Sequence, residues 1–143
     1  MSKYKYSTEI TDKMVKAVGL ALPISSKASR EICAKVRGMK LDKAKIYLDK
    51  VIDLKAAVPF TKFNRKIPHQ TNIGPGKFPM KASTHILSIL KSAETNAQFK
   101  GLNINNLIIN HISAQRGAKT MRYGRRQNRT KKTNIEVVLE EKK

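Results

Sequence analysis

From Thr95 to Ile135 the chain carries no acidic residue. Inside that run Arg116, Lys119, Arg122, Arg125, Arg126, Arg129, Lys131 and Lys132 crowd into one segment. A solvated helix face normally alternates its charges, because unlike charges three or four residues apart support one another. This segment has nothing to alternate with. It is bracketed by two apolar runs, Leu107–Ile112 and Ile135–Leu139. In the second, Ile135, Val137 and Leu139 alternate with Glu136, Val138 and Glu140, the pattern of a half-buried strand. If both runs continue extended, they form one long antiparallel hairpin with its tip near Met121 to Gly124. An arm of about 12 residues reaches roughly 40 Å at about 3.3 Å per residue. A two-stranded ribbon has no core of its own and is marginal in water. The arm therefore needs an external surface, and its charge makes that surface a polyanion.

The rest of the composition agrees. Lys and Arg number 30 against 10 Asp and Glu, a formal net charge of +20. Residues 1–53 balance at +6, residues 54–135 at +15 with Glu94 the only acid, and the last eight at −1. Such a charge implies a polyanionic partner. Hydrophobic residues make up 40% of the 143, enough for the core of one domain. No run approaches the roughly 18 apolar residues of a membrane span. The start, MSKYKYSTEITDK, has no apolar stretch of the kind a secretory leader needs. Cys33 is the only cysteine, so neither an internal disulfide nor a cysteine metal cluster is expected, and a reducing cytosol is the simplest compartment.

Residues 14–22, MVKAVGLAL, read as a strand bounded by Pro23. Ser25 or Ser26 is placed to cap a helix in which Ala28, Ile32 and Val36 recur at helical spacing before Gly38. Asp42 is the expected cap of a second helix with Ala44, Tyr47, Leu48 and Val51 on one stripe. Residues 56–79 change character. Pro59, Pro68, Pro75 and Pro79, with Gly74 and Gly76, argue against a long regular element. There Phe60, Phe63 and Phe78 sit among Lys62, Arg65, Lys66 and Lys77. A loop of about two dozen residues is usually functional or disordered. From Pro79, the residues Ala82, Ile86, Leu90, Ala93 and Ala97 mark a long third helix closed by Gly101.

An anionic membrane would call for a basic amphipathic helix with large apolar residues opposite the charge, which the basic segment lacks. Nucleic acid fits better, since each phosphate neutralised by Lys or Arg releases condensed counterions, and Arg matches a phosphate with a planar fork. Tyr123 either stacks on a base or packs on its own strand. For an enzyme there is little. His69, His85 and His111 are scattered without metal-ligand spacing, and no pair of acids is marked out. Gly74-Pro75-Gly76-Lys77 fails as a phosphate loop, because Thr71 and Phe78 stand where a Gly and a Ser or Thr are required, and it reads as a turn. The second helix carries Asp42, Asp49 and Asp53, poor chemistry for a DNA groove. A basic ribbon with a basic aromatic loop suits irregular folded RNA better than a duplex. A basic DNA-binding or chromatin-type protein is the alternative.

Several blocks of residues resemble one family. They are Ser25-Ser26-Lys27-Ala28-Ser29-Arg30-Glu31-Ile32 through Val36-Arg37-Gly38-Met39, then Ala44 to Val51, Ser92-Ala93-Glu94-Thr95-Asn96-Ala97 with Gly101-Leu102, and Asn134 to Leu139. Their order and residues are similar to the large-subunit ribosomal protein family L22, over nearly the whole chain. The insertion with Val58-Pro59-Phe60 looks like the archaeal and eukaryotic branch. The resemblance implies an α+β fold, three helices packed on a small antiparallel sheet with a long protruding basic β-hairpin. It implies a single domain over 1–143, with a body at about 1–110 and 133–143, an arm at about 111–132 and the Pro/Gly-rich basic loop at about 56–79. It further implies a non-enzymatic constituent of the cytoplasmic large ribosomal subunit that needs no cofactor or metal. Such a protein binds large-subunit rRNA, joins several rRNA domains and lines the nascent-peptide exit tunnel with its hairpin. Neighbouring ribosomal proteins and the nascent polypeptide are the other expected partners, with no membrane and no homo-oligomer. The rRNA-binding residues expected are Lys62, Arg65, Lys66, Lys77, Lys81, Arg116, Lys119, Arg122, Tyr123, Arg125, Arg126, Arg129, Lys131 and Lys132. The tunnel tip falls on Met121, Arg122, Tyr123, Gly124 and Arg125. Gly124 and Arg125 fit the family's tip pattern, whereas Met121 and Arg122 depart from it.

Overall fold

A computed structural model describes residues 4–125 and 129–142. The elements run β1 (Met14–Leu22), α1 (Ser26–Val36), α2 (Leu41–Ile52), β2 (Val58–Pro59), β3 (His69–Gln70), β4 (Gly74–Lys77), α3 (Met80–Phe99), β5 (Leu107–Arg116) and β6 (Thr133–Glu141). Among the described residues the fold is α+β, with three α-helices and two antiparallel sheets of three strands ordered β1-β6-β5 and β2-β4-β3.

The alternation in β6 decides which way the larger sheet faces. Ile135, Val137 and Leu139 are fully buried against Val15 and Ala17 of β1 and against the helices. On β5 the apolar phase slips, because Leu107 and Ile109 are buried and so are Ile112 and Ala114. A bulge between Ile109 and His111 absorbs the extra residue and returns Ile112 to the core face. Ile112 is fully buried, so truncating it to Ala costs about 2–5 kcal/mol in lost burial and cavity formation. Helix α1 packs on β5, α3 on β1 and β6, and α2 on α3.

Strand β5 is an edge, and the chain covers it. Arg37 donates from Nη2 to the Ile112 carbonyl at 2.8 Å. Gly38 donates its amide to Ile109 at 2.8 Å, and the Met39 carbonyl accepts from Ile109 at 3.0 Å. Gly38 adopts φ 79°, the left-handed conformation that turns the chain from α1 into this pairing.

Four details differ from the sequence reading. Helix α2 begins at Leu41, one residue before Asp42, and the capping position is Lys40 with no side-chain bond; Asp42 instead pairs with Lys45 at 2.9 Å in the first turn. The Pro/Gly-rich stretch contains β2, β3 and β4. Gly74–Lys77, expected as a turn, is the central strand of the small sheet, pairing with β2 through Gly76 and with β3 through Pro75. Its glycine serves close packing, since a Cβ on Gly76 would stand 2.9 Å from Gln70 Cγ and 3.3 Å from Ala57 Cβ. Strand β5 runs past Ile112 to Arg116, where its last pair is with Thr133.

The fourth is Glu136, whose place in the alternation put it on the solvent face. It is fully buried, because residues 4–7 cross that face. The carboxylate accepts from Tyr4 Oη at 3.2 Å, from Ser113 Oγ at 2.8 Å and from the Ser7 hydroxyl, and it contacts His111 Nε2 at 2.9 Å. Burial pushes the Glu136 carboxyl up, but the hydrogen bonds from Ser7, His111 and Ser113 outweigh it and hold the group at about 2.

Candidate nucleic-acid interface

The base of the arm is fixed by two polar residues at the start of β6. Thr133 donates its hydroxyl to the Ile24 carbonyl at 2.9 Å, and Asn134 Oδ1 accepts the Ala21 amide at 2.8 Å. These bonds hold the β1–α1 connection, and with it the first turn of α1, against the root of the hairpin. Beyond Arg116 and Thr133, Gly117 donates to the Lys132 carbonyl at 2.9 Å and Thr130 to the Thr120 carbonyl at 2.8 Å. Gly117 has no room for a side chain without crowding Lys132, whose backbone lies 3.3 Å from the position a Cβ would take. Met121 and Arg129 form the last pair among the described residues.

Three clefts follow from this arrangement. The first, about 290 Å³, is lined by Ser25, Ser26 and Lys27 of the α1 entry and by Arg116, Lys119, Lys131 and Lys132 of the arm. Ser25 makes no side-chain capping bond, so the first amides of α1 and four arm cations converge on one space suited to a phosphate. The second, about 420 Å³, gathers Lys81, Arg122, Arg129, Lys131 and Lys132. The third, about 790 Å³, lies between α1 and the Pro/Gly-rich segment, with Lys27, Lys62, Arg65 and Lys77 around Phe60, Phe63 and Phe78. Lys27 belongs to the first and third, and Lys131 and Lys132 to the first and second. No Asp or Glu lines any of the three. The basic surface is therefore continuous from loop to arm.

Three of the ten acids are taken up by partners within the body. Glu31 and Glu136 are buried within hydrogen-bond networks, and Glu94 pairs with Lys45 at 2.8 Å. Glu31 also organises the third cleft. Its carboxylate accepts the amides of Thr61, Lys62 and Phe63 at 3.2, 3.0 and 3.2 Å and the Thr61 hydroxyl at 3.1 Å. A carboxylate accepting from four donors fixes the backbone and leaves the Lys62 side chain exposed.

The structure thus brings Lys62, Arg65 and Lys77 together, and Arg116, Lys119, Lys131 and Lys132 together. It assigns Lys81 to the second cleft with Arg122 and Arg129 rather than to the loop. Lys66 is exposed at φ 57° and lines none of the three. Met121, Tyr123, Gly124 and Arg125 are exposed beyond the clefts, and Tyr123 is fully exposed, so its ring does not pack on the strand. Arg126 lies outside the described residues. Sequence reasoning passed over Lys27, which joins loop and arm; its signal was a lysine in the first turn of a helix opening with two serines. Cys33 is buried in the core, and burial, only partly offset by Arg37, pushes its thiol up to about 12, so it stays a thiol. No described helix is long and apolar enough to cross a membrane.

The family model described as Ribosomal protein L22p/L17e matches residues 17–140. The chain belongs to this ribosomal protein family. The matched span takes in the three α-helices, all of β5, β6 up to its last residue but one, and every residue of the three clefts. Among its relatives, the Large ribosomal subunit protein uL22 of Methanococcus aeolicus is 42% identical, covering 99% of each chain. The protein of the same name from Archaeoglobus fulgidus is 37% identical over 96% of this chain and 94% of that one. That of Methanopyrus kandleri is 44% identical over 92% and 89%. These L22 relatives are all archaeal, which agrees with the branch to which the Pro-rich insertion pointed.

Proposed function

We propose that this L22-family chain is a structural constituent of the cytoplasmic large ribosomal subunit that acts by binding rRNA, with no catalytic step. The observation that carries the reading is the acid-free basic surface running through Lys27, Lys131 and Lys132 from the loop to the arm. Lys and Arg side chains along it bind phosphates and hold RNA segments whose own charges repel one another. Clefts that the α1 entry forms with the loop and with the arm favour contact with RNA segments from more than one rRNA domain, which is how the protein would join domains during assembly. The projecting arm lines the nascent-polypeptide exit tunnel, with Met121, Arg122, Tyr123, Gly124 and Arg125 nearest the nascent chain. Neighbouring large-subunit proteins are its other partners.

Arg122, Arg125 and Arg129 are exposed and outside the core, so replacing all three with Ala leaves the body folded. Loss of about three phosphate contacts lowers the slope of log affinity against log salt by roughly 2–3. Incorporation of the triple variant into large subunits should fall while its helical circular dichroism is unchanged. Full incorporation at wild-type salt resistance would count against the reading.

A further inference from the structure

The largest cleft differs in kind from the other two. Neither of those has an aromatic side chain in its lining, whereas this one has Phe60, Phe63 and Phe78 beside its four cations. Its volume of about 790 Å³ lies within the roughly 300–1,000 Å³ of sites that hold small organic groups. Its walls are also held in place. Glu31 anchors residues 61–63 on one side, and β4 carries Gly76 and Lys77 on the other, braced by β2 and β3. Phe60 is buried and forms part of the core, and Phe63 is half-buried against it with Lys27 Nζ 5.5 Å from its ring centre. Phe78 is different, because it lines the cleft without belonging to the core cluster. Asn64 and Gln70 add amide groups that both donate and accept.

We propose that this cleft receives one unstacked base of single-stranded large-subunit rRNA. The base lies against Phe78, its edge meets Asn64 or Gln70, and the flanking phosphates meet Lys27, Arg65 and Lys77. The inference rests on the rRNA-binding reading and adds what this part of the surface recognises. An aromatic platform is sequence-tolerant and worth having only where a base has left its stack, which is how proteins read RNA loops and bulges. Charge complementarity favours a polyanion here, since four cations and no acid line the walls. Continuity through Lys27 with the arm cleft favours a polymer over a free nucleotide.

The test uses the full chain and fluorescence anisotropy at one fixed salt concentration. The probes are a randomised single-stranded RNA hexamer and an RNA duplex of matched charge. Phe78→Ala should weaken hexamer binding about tenfold, as expected for the loss of one stacked base, and leave duplex binding unchanged. Phe78→Leu keeps an apolar side chain there, and should show the same selective loss with an unaltered unfolding midpoint. Arg122→Ala with Arg129→Ala should weaken both probes together. Equal effects of the Phe78 variants on hexamer and duplex, or none on either, would overturn the proposal while leaving rRNA binding intact. So would displacement of the hexamer by adenosine monophosphate at equal concentration, which would mark a mononucleotide site. Failure of the unaltered protein to bind either RNA would overturn the function itself.

Discussion

The Glu31 carboxylate on α1 accepts the backbone amide of Lys62 at 3.0 Å, thirty-one residues away in sequence. Together with the amides of Thr61 and Phe63 and the Thr61 hydroxyl, this bond converts a Pro/Gly-rich stretch into a fixed wall of the basic surface. Bonds to a charged acceptor are the stronger kind, and the donors left behind are costly when buried. Glu31→Gln replaces one acceptor oxygen by a donor facing an amide. It should cost about 2–3 kcal/mol in urea unfolding. It should also speed amide exchange at Thr61, Lys62 and Phe63 ahead of the helices. Exchange there as slow as in the unaltered protein would refute the anchor.

Glu136 makes the stability of the body depend on pH. Its carboxyl is held at about 2 in the folded chain against an ordinary value of 4.5. A group lowered on folding contributes stability above its unfolded pKa, and that contribution is lost as pH falls through the folded value. Stability should therefore drop between about pH 5 and pH 2. Glu136→Gln, which removes this titration, should be less stable at pH 7 and lose less on acidification. A parallel decline of both proteins between those limits would show that Glu136 does not drive it.

The same two acids show where the sequence was legible and where it was not. Local periodicity located the three helices, β1 and the strands on either side of the basic segment, because each buries one stripe or one face. It placed Glu136 on the solvent side by the same rule. The rule failed because residues 4–7, which carry no strand pattern, cover that face and supply Tyr4 and Ser7 as donors. Glu31 gave no signal either, since its partners are backbone amides and not side chains. The small sheet was hidden for a similar reason. Gly76 and Pro75 lie in a strand only because β2 and β3 pair on its two sides, and no local preference encodes that. Of the basic surface, the arm and loop cations were evident from charge alone. Their connection through Lys27 required the packing of α1 against the root of the hairpin.

Past Arg116 the arm is held, among the described residues, by the Gly117 and Thr130 amides and by a hydroxyl pair between Thr120 and Thr130 at 2.6 Å. The side chains of residues 118–125 are exposed. In the isolated protein their amides should exchange near the unprotected rate, whereas Ile109 and Ile112 exchange slowly. Within the large subunit the arm amides should become protected. Equal protection of arm and helices in the free protein would contradict an arm that RNA holds in place.

Binding of large-subunit rRNA by the continuous basic surface is the proposal on which the others depend. The most direct measurement is sedimentation of a native lysate through a sucrose gradient, with the fractions then washed in rising salt. The chain should travel with the large subunit through moderate salt and be released only when screening overcomes its phosphate contacts. Migration with free protein or with DNA at low salt would contradict it.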